Sequence, residues 1–110
     1  MGNYKKTNLM DWVTGKIKGF SGKNLIELEN GGLKMVKVDS FSSYPTHLHT
    51  KKTEFIYVLE GNPTMTIDDK NYNGEKSDFF ILPHSIKHSI ANPTDSECLL
   101  LVGAINNYNK

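Results

Sequence analysis

Cysteine is almost missing from this 110-residue chain: Cys98 is the only one, which excludes an intramolecular disulfide framework and fits a reducing cytoplasm, the expected location. Long apolar runs are missing too. The longest, Cys98-Leu99-Leu100-Leu101-Val102, is far too short to cross a bilayer, so no membrane partner is expected. Charge of one sign does not dominate. With 13 basic and 12 acidic residues the formal charge is +1, and neither a basic stripe for nucleic acid nor an acidic tail stands out. The N-terminal Met1-Gly2-Asn3-Tyr4-Lys5-Lys6 is basic but no apolar segment follows, so a signal peptide is not expected. Gly2 does not make a myristoylation signal, because Lys6 stands where that pattern wants Ser or Thr. Helical periodicity sustained over three turns is also lacking.

What the chain does have is turn-formers at short intervals: Gly15, Gly19, Gly22, Asn30-Gly31-Gly32, Pro45, Gly61-Asn62-Pro63, Asp68-Asp69, Asn73-Gly74, Pro83, Asn92-Pro93 and Gly103. Short β-rich segments lie between them, the pattern of an all-β sandwich or barrel. Strands are predicted near 16–20, 24–29, 33–39, 54–60, 64–68, 78–82, 86–91 and 97–103. A hairpin turn at Asp68-Asp69-Lys70-Asn71 leads to a further short strand around Tyr72. A short helical turn near Asn8–Trp12 would let Met10 and Trp12 cover an open barrel end. The length suits one domain over 1–110, with N-terminal strands and cover in 1–30 and the barrel in 31–103. Cys98, inside its apolar run, reads as a buried core thiol.

The chemistry is concentrated in the histidines. There are four, His47, His49, His84 and His88. His47 and His49 sit at i and i+2, so on an extended strand both rings face one side. A turn through Thr50–Thr53 would bring Glu54, opening the next strand, beside them. His88 begins another predicted strand after the Pro83 turn. Three imidazoles and one carboxylate are donors that suit a divalent transition metal. His-x-His alone is a weak signal, since surface histidines near turns are common.

The wider pattern is more specific. His47-x-His49-x4-Glu54-x6-Gly61, followed after a short hairpin by Pro83-x4-His88-x3-Asn92, resembles the two motifs of the cupin superfamily, in particular its small single-domain members. The resemblance spans roughly residues 30–103. It implies a double-stranded β-helix, or jelly-roll barrel, of two antiparallel sheets. It also implies a metal held by His47, His49, Glu54 and His88, with Gly61 on the tight turn after the ligand-bearing strand and Asn92 on a structural turn. Ser77 and Ser85 depart from the family by standing where turn glycines are usual, and a slight turn adjustment with the site retained is expected. Asp78 is expected to hydrogen-bond within its own turn, and His84 to be a loop residue without a family role.

Four protein ligands on an octahedral ion leave two open positions, the layout of a catalytic rather than a structural site. Such a centre suits anionic or chelating oxygens: 2-keto acids, enediols, catecholates or the vicinal hydroxyls of a sugar. Fe, Mn, Ni, Co and Zn all remain open as the ion. The favoured reading is a metal-dependent lyase, isomerase or dioxygenase acting on a small oxygen-rich metabolite such as a sugar or keto acid. A metal-assisted binding or sensing protein for a sugar or small acid is the alternative, since no acid/base residue stands out and the catalytic residues are unknown. Tyr44, Lys37, His84 and Tyr57 are the proton-transfer candidates. Met35 shares a face with Lys37, Phe79 shares one with Ile81, and Phe41 begins the loop toward the metal, none of them assignable to the cavity. On strand 54–60, Ile56 and Val58 should point inward with Glu54, while Phe55, Tyr57 and Leu59 face out. That outer face needs cover from the N-terminal segment or from a second subunit, so a homodimer is expected.

Overall fold

The computed structural model describes residues 2–107. A 3-10 turn, Thr7–Leu9, is followed by ten strands: β1 (Val13–Thr14), β2 (Phe20–Leu28), β3 (Gly31–Val38), β4 (Ser43–His47), β5 (Lys52–Glu60), β6 (Thr64–Ile67), β7 (Lys70–Asn73), β8 (Phe79–Leu82), β9 (His88–Ala91) and β10 (Cys98–Asn106). All pairings are antiparallel. They build a six-stranded sheet in the order β1-β2-β3-β10-β5-β8 and a four-stranded sheet in the order β4-β9-β6-β7. The expected all-β architecture of two antiparallel sheets is what the chain forms, a jelly-roll barrel.

Local chemistry explains most of the turns. Asp68 and Asp69 both take positive φ, 50° and 65°, so β6 and β7 are joined by the two-residue turn whose twist matches the strands. Asp tolerates that backbone because its short side chain bonds locally. Gly61 ends β5 at φ 92°, and a Cβ there would meet the Cys98 Sγ at 2.7 Å and its Cα at 2.9 Å. Only glycine fits this turn.

Three features of the fold depart from the sequence reading. Residues 16–19 turn rather than pair; β2 begins at Phe20, and the short β1 lies before the turn. Ser43–His47 forms β4 although the sequence reading had no separate strand there, because Pro45 argued against one. Here its missing N–H is tolerated on the edge strand of the smaller sheet. Trp12 does not cap the barrel end. It lies over the ammonium groups of Lys23 and Lys37, 4.4 and 4.9 Å from its ring centre, on the outer side of β2 and β3. Lys23 is buried there, its Nζ donating to the Thr7 carbonyl at 2.8 Å.

Cross-strand register explains how the interior is arranged. Val58 pairs with Leu100, and Cys98 with Val38, so these fully buried side chains pack with Met65 at one end of the barrel. Asn92, also buried there, donates from Nδ2 to the carbonyls of Val38, Asp39 and Ser96, and its Oδ1 accepts from the Thr94 N–H and hydroxyl. It joins the end of β3 to the turn after β9, the structural role expected of it. The thiol of Cys98 is pushed up by burial, partly offset by the Asn62 backbone, which fits a core residue.

Glu54, Ile56 and Val58 face inward as expected. Outside the same sheet, the N-terminal segment covers only β2 and β3. Tyr57, Phe79, Ile81 and Ile105 stay exposed over β5, β8 and β10.

Candidate metal centre

At the other end of the barrel, β4, β5 and β9 deliver four side chains to one point. His47 is the last residue of β4 and pairs directly with His88, the first residue of β9. Glu54 is the third residue of β5, not its opening residue, because the strand begins at Lys52. His49 lies beyond the end of β4, so the two rings converge without sharing a strand. The loop that carries it is tied down from below: the Ser85 N–H donates to the His49 carbonyl at 2.6 Å. Ser85 reaches that carbonyl at φ 64°, and Ser77, at φ 76°, donates its N–H to Val58 at 2.8 Å. Both serines therefore adopt the glycine-like backbone that the motif demands, and the side chains they position still converge.

One ligand atom from each of His47, His49, Glu54 and His88 lies within 4.8 Å of all the others. His49 Nε2 is 3.2 Å and His88 Nε2 3.5 Å from the same Glu54 oxygen, and His47 Nε2 is 3.1 Å from His88 Nε2. The far sides of two rings are fixed by the backbone: His47 Nδ1 bonds the Pro45 carbonyl at 2.9 Å and His88 Nδ1 the Ile86 carbonyl at 3.2 Å. A carbonyl only accepts, so each Nδ1 carries a proton, and in the neutral ring each Nε2 is left with its lone pair facing inward. With both rings neutral, two lone pairs and a carboxylate oxygen face one point, an arrangement that a cation would suit. A divalent ion with imidazole bonds of about 2.0–2.1 Å sets adjacent nitrogens about 3 Å apart at right angles, which is the spacing of the two Nε2 atoms here. The donor set therefore fits a divalent metal.

The electrostatics keep the donors metal-ready. Burial lowers the pKa of His49, and Lys52, His47 and His88 add to this against the opposing pull of Glu54, a shift toward the neutral ring that a metal would need. Burial alone would raise the Glu54 pKa. The hydrogen bond with His88 and the charges of Lys52, His49 and His88 more than offset it, and the carboxyl sits below its ordinary value. Lys52 Nζ approaches the other Glu54 oxygen at 3.9 Å.

The four side chains line a cavity of about 570 Å³ whose walls are mainly apolar, with Val36, Ile56, Leu82, Ile90, Leu100 and Val102 among them. Of the four proton-transfer candidates, only Tyr44 lines it, its ring 4.9 Å from that of His47. Lys37 is outside, beneath Trp12 and 4.0 Å from Glu97; Tyr57 is on the outer face; His84 is an exposed loop residue bonded to the Ser85 hydroxyl. Phe41 is exposed at positive φ and does not line the cavity. Asp78 accepts the Glu75 N–H within its own turn, as expected. The sequence reading passed over Lys16, Lys34 and Lys52, which also line the cavity. Alternation along β3 could have found Lys34, since it shares a face with Val36 and Val38.

Comparison with known proteins agrees with this geometry. The family model described as a cupin domain matches residues 34–103, most of the chain, and the chain belongs to the cupin family. Its fold is similar to that of KdgF from a Halomonas species: 17% identity, 99% of this chain and 97% of that one covered, TM-score 0.87. It is similar as well to the cupin domain of Schizosaccharomyces pombe Cnp3 (14% identity, 96% and 74% covered, TM-score 0.85). A predicted oxalate decarboxylase from Thermotoga maritima also shares the fold (19% identity, 87% and 90% covered, TM-score 0.78). No curated protein matches the sequence. Among the described residues, no helix is long and apolar enough to cross a membrane.

Proposed function

We propose that this chain is a cytoplasmic metal-dependent enzyme, a lyase, isomerase or dioxygenase. His47, His49, Glu54 and His88 hold its divalent ion, and its substrate is a small oxygen-rich metabolite such as a sugar acid or keto acid. The observation that carries the reading is the pair of Nε2 atoms 3.1 Å apart, each with its Nδ1 committed to a backbone carbonyl. The neighbouring folds of a predicted oxalate decarboxylase and of a sugar phosphate isomerase from Silicibacter pomeroyi support the substrate class by analogy alone. An ion bound there supplies Lewis acidity toward a carbonyl or enolate oxygen. Tyr44, the one proton-transfer candidate lining the cavity, is placed to hold or pass a proton at its phenolic oxygen.

The test is to purify the protein without a metal-affinity tag and measure metal content before and after loading, for wild type and His49→Ala. Stoichiometric metal in wild type, lost in the variant, supports the site. A wild type that takes up no metal under any loading overturns it. Metal-dependent turnover that survives His49→Ala overturns the catalytic role.

We also propose that a second copy of this chain covers the exposed outer face around Tyr57, Phe79, Ile81 and Ile105. These side chains are 37 to 57% exposed on a sheet whose β8 edge is unpaired among the described residues. A stable dimer buries roughly 800 Å² per partner, and this patch supplies an apolar centre for it. Light scattering at micromolar concentration should give a dimer, and Phe79→Lys with Ile81→Lys should give a monomer. A wild-type monomer counts against the proposal.

A further inference from the structure

The cavity carries a charge pattern that the four ligands do not explain. Three lysines line it, Lys16, Lys34 and Lys52, against a single carboxylate, Glu54. The chain contains no arginine, so lysine is its only strong cation. Lys52 is accounted for by its approach to Glu54 at 3.9 Å. Lys34 is not: it makes no ion pair among the described residues. It nevertheless occupies an inner-face position on β3, in line with Val36 and Val38. Its side chain lies along the inner surface of β2, with Cδ 3.9 Å from where a Cβ on Gly22 would stand. An apolar residue at 34 would have continued the wall.

Register locates the backbone of this residue relative to the ligands. Lys34 pairs with Val102, and Val102 with Ile56, the inward residue next after Glu54. Two strand spacings separate β3 from β5, so the Lys34 backbone lies about 10 Å across the sheet from the ligand-bearing strand. Lys34 therefore stands in the same sheet as Glu54 but two strands away, with its exposed side chain at the mouth of the cavity rather than among the four clustered side chains. With a divalent ion in place the cavity would be strongly positive, and low-dielectric walls strengthen such a field.

We infer that the cavity takes a small ligand with two anionic ends. One end is a chelating 2-oxo or 2-hydroxy acid at the metal; the other is a carboxylate or phosphate received by Lys34, with Lys16 adding charge at the same rim. This rests on the metal reading above and narrows it: neutral sugars and catechols, which lack the distal charge, are excluded as preferred ligands. Lys34 is a specificity-determining residue and takes no part in holding the ion.

The full chain loaded with Co(II) tests this with two probes that share a chelating end, 2-oxoglutarate and 2-oxobutyrate, each titrated by the visible band of the metal. Wild type should bind 2-oxoglutarate at least about 10-fold more tightly, the size expected of one charge-assisted contact. Lys34→Met should erase that preference while leaving cobalt content and 2-oxobutyrate affinity unchanged, and Lys34→Arg should restore it. Lys34→Gln, equally polar but uncharged, should behave as Lys34→Met and guards against a folding artefact. Equal affinities in wild type overturn the proposal and leave the metal site standing, as does a Lys34→Met variant that weakens both probes alike. A chain that takes up no cobalt overturns the metal reading and this proposal together.

Discussion

The two ends of the barrel are built from the same strands and obey opposite rules. At the closed end Val38, Val58, Met65, Cys98 and Leu100 are fully buried, and the one polar group among them, Asn92, has every hydrogen-bonding atom engaged. At the open end three imidazoles and a carboxylate converge on one point. The closed end is what a stable core requires. The open end gathers polar donors that a cation could share. One strand serves both: β5 carries Glu54 toward the histidine cluster and Val58 into the core, so burial of the second aims the first.

If the ends are separable, damage to one should spare the other. Val38→Ala trims a fully buried side chain that does not line the cavity and should cost about 1–3 kcal/mol in urea unfolding, while the folded variant keeps wild-type metal affinity. A parallel loss of affinity would show that the ends are coupled. His49→Ala is the converse. It should weaken metal binding by more than about 100-fold, beyond the loss typical of outer-sphere partners, with metal-free stability within about 1 kcal/mol of wild type. Competition against a chromophoric chelator measures the first, and urea unfolding the second.

Acid should act on the open end. The folded chain holds His49 neutral below the pH at which the unfolded chain, near its ordinary 6.5, takes a proton, so stability falls as pH drops through that region. Glu54 contributes stability above its ordinary 4.5, and that contribution is lost as pH falls through its lower folded value. Unfolding of the metal-free protein at a series of pH values should show both losses, and His49→Ala should remove the first. Stability that rises on acidification would contradict this. The smallest effect is expected at the turns: Ser85→Gly and Ser77→Gly should each raise stability by about 0.5–1 kcal/mol by relieving a left-handed backbone, seen as a higher Tm. A lower Tm would mean that their side chains do more than tolerate the turn.

How much of this was legible follows from the range of each signal. Gly61, Asn92 and Asp78 have roles that local turn chemistry dictates, and all three stand where the motifs placed them. The inward face of β5 followed from strand alternation alone. β4 was missed because Pro45 is a strand-breaking signal, and only its place at a sheet edge makes it harmless. Trp12 was assigned to the barrel end because an apolar residue announces that it will be covered without saying by what.

The sequence by itself determined the donor types and the strand alternation: three histidines, one glutamate and the inward set of β5, because side-chain chemistry and a period of two are local properties. Tertiary structure alone decided that His47 pairs with His88, that the Ser85 turn grips the His49 loop, and that Lys34 reaches the same cavity from β3, two strands away from Glu54. Those relations depend on which strands become neighbours, and in an antiparallel barrel neighbours lie far apart in the chain.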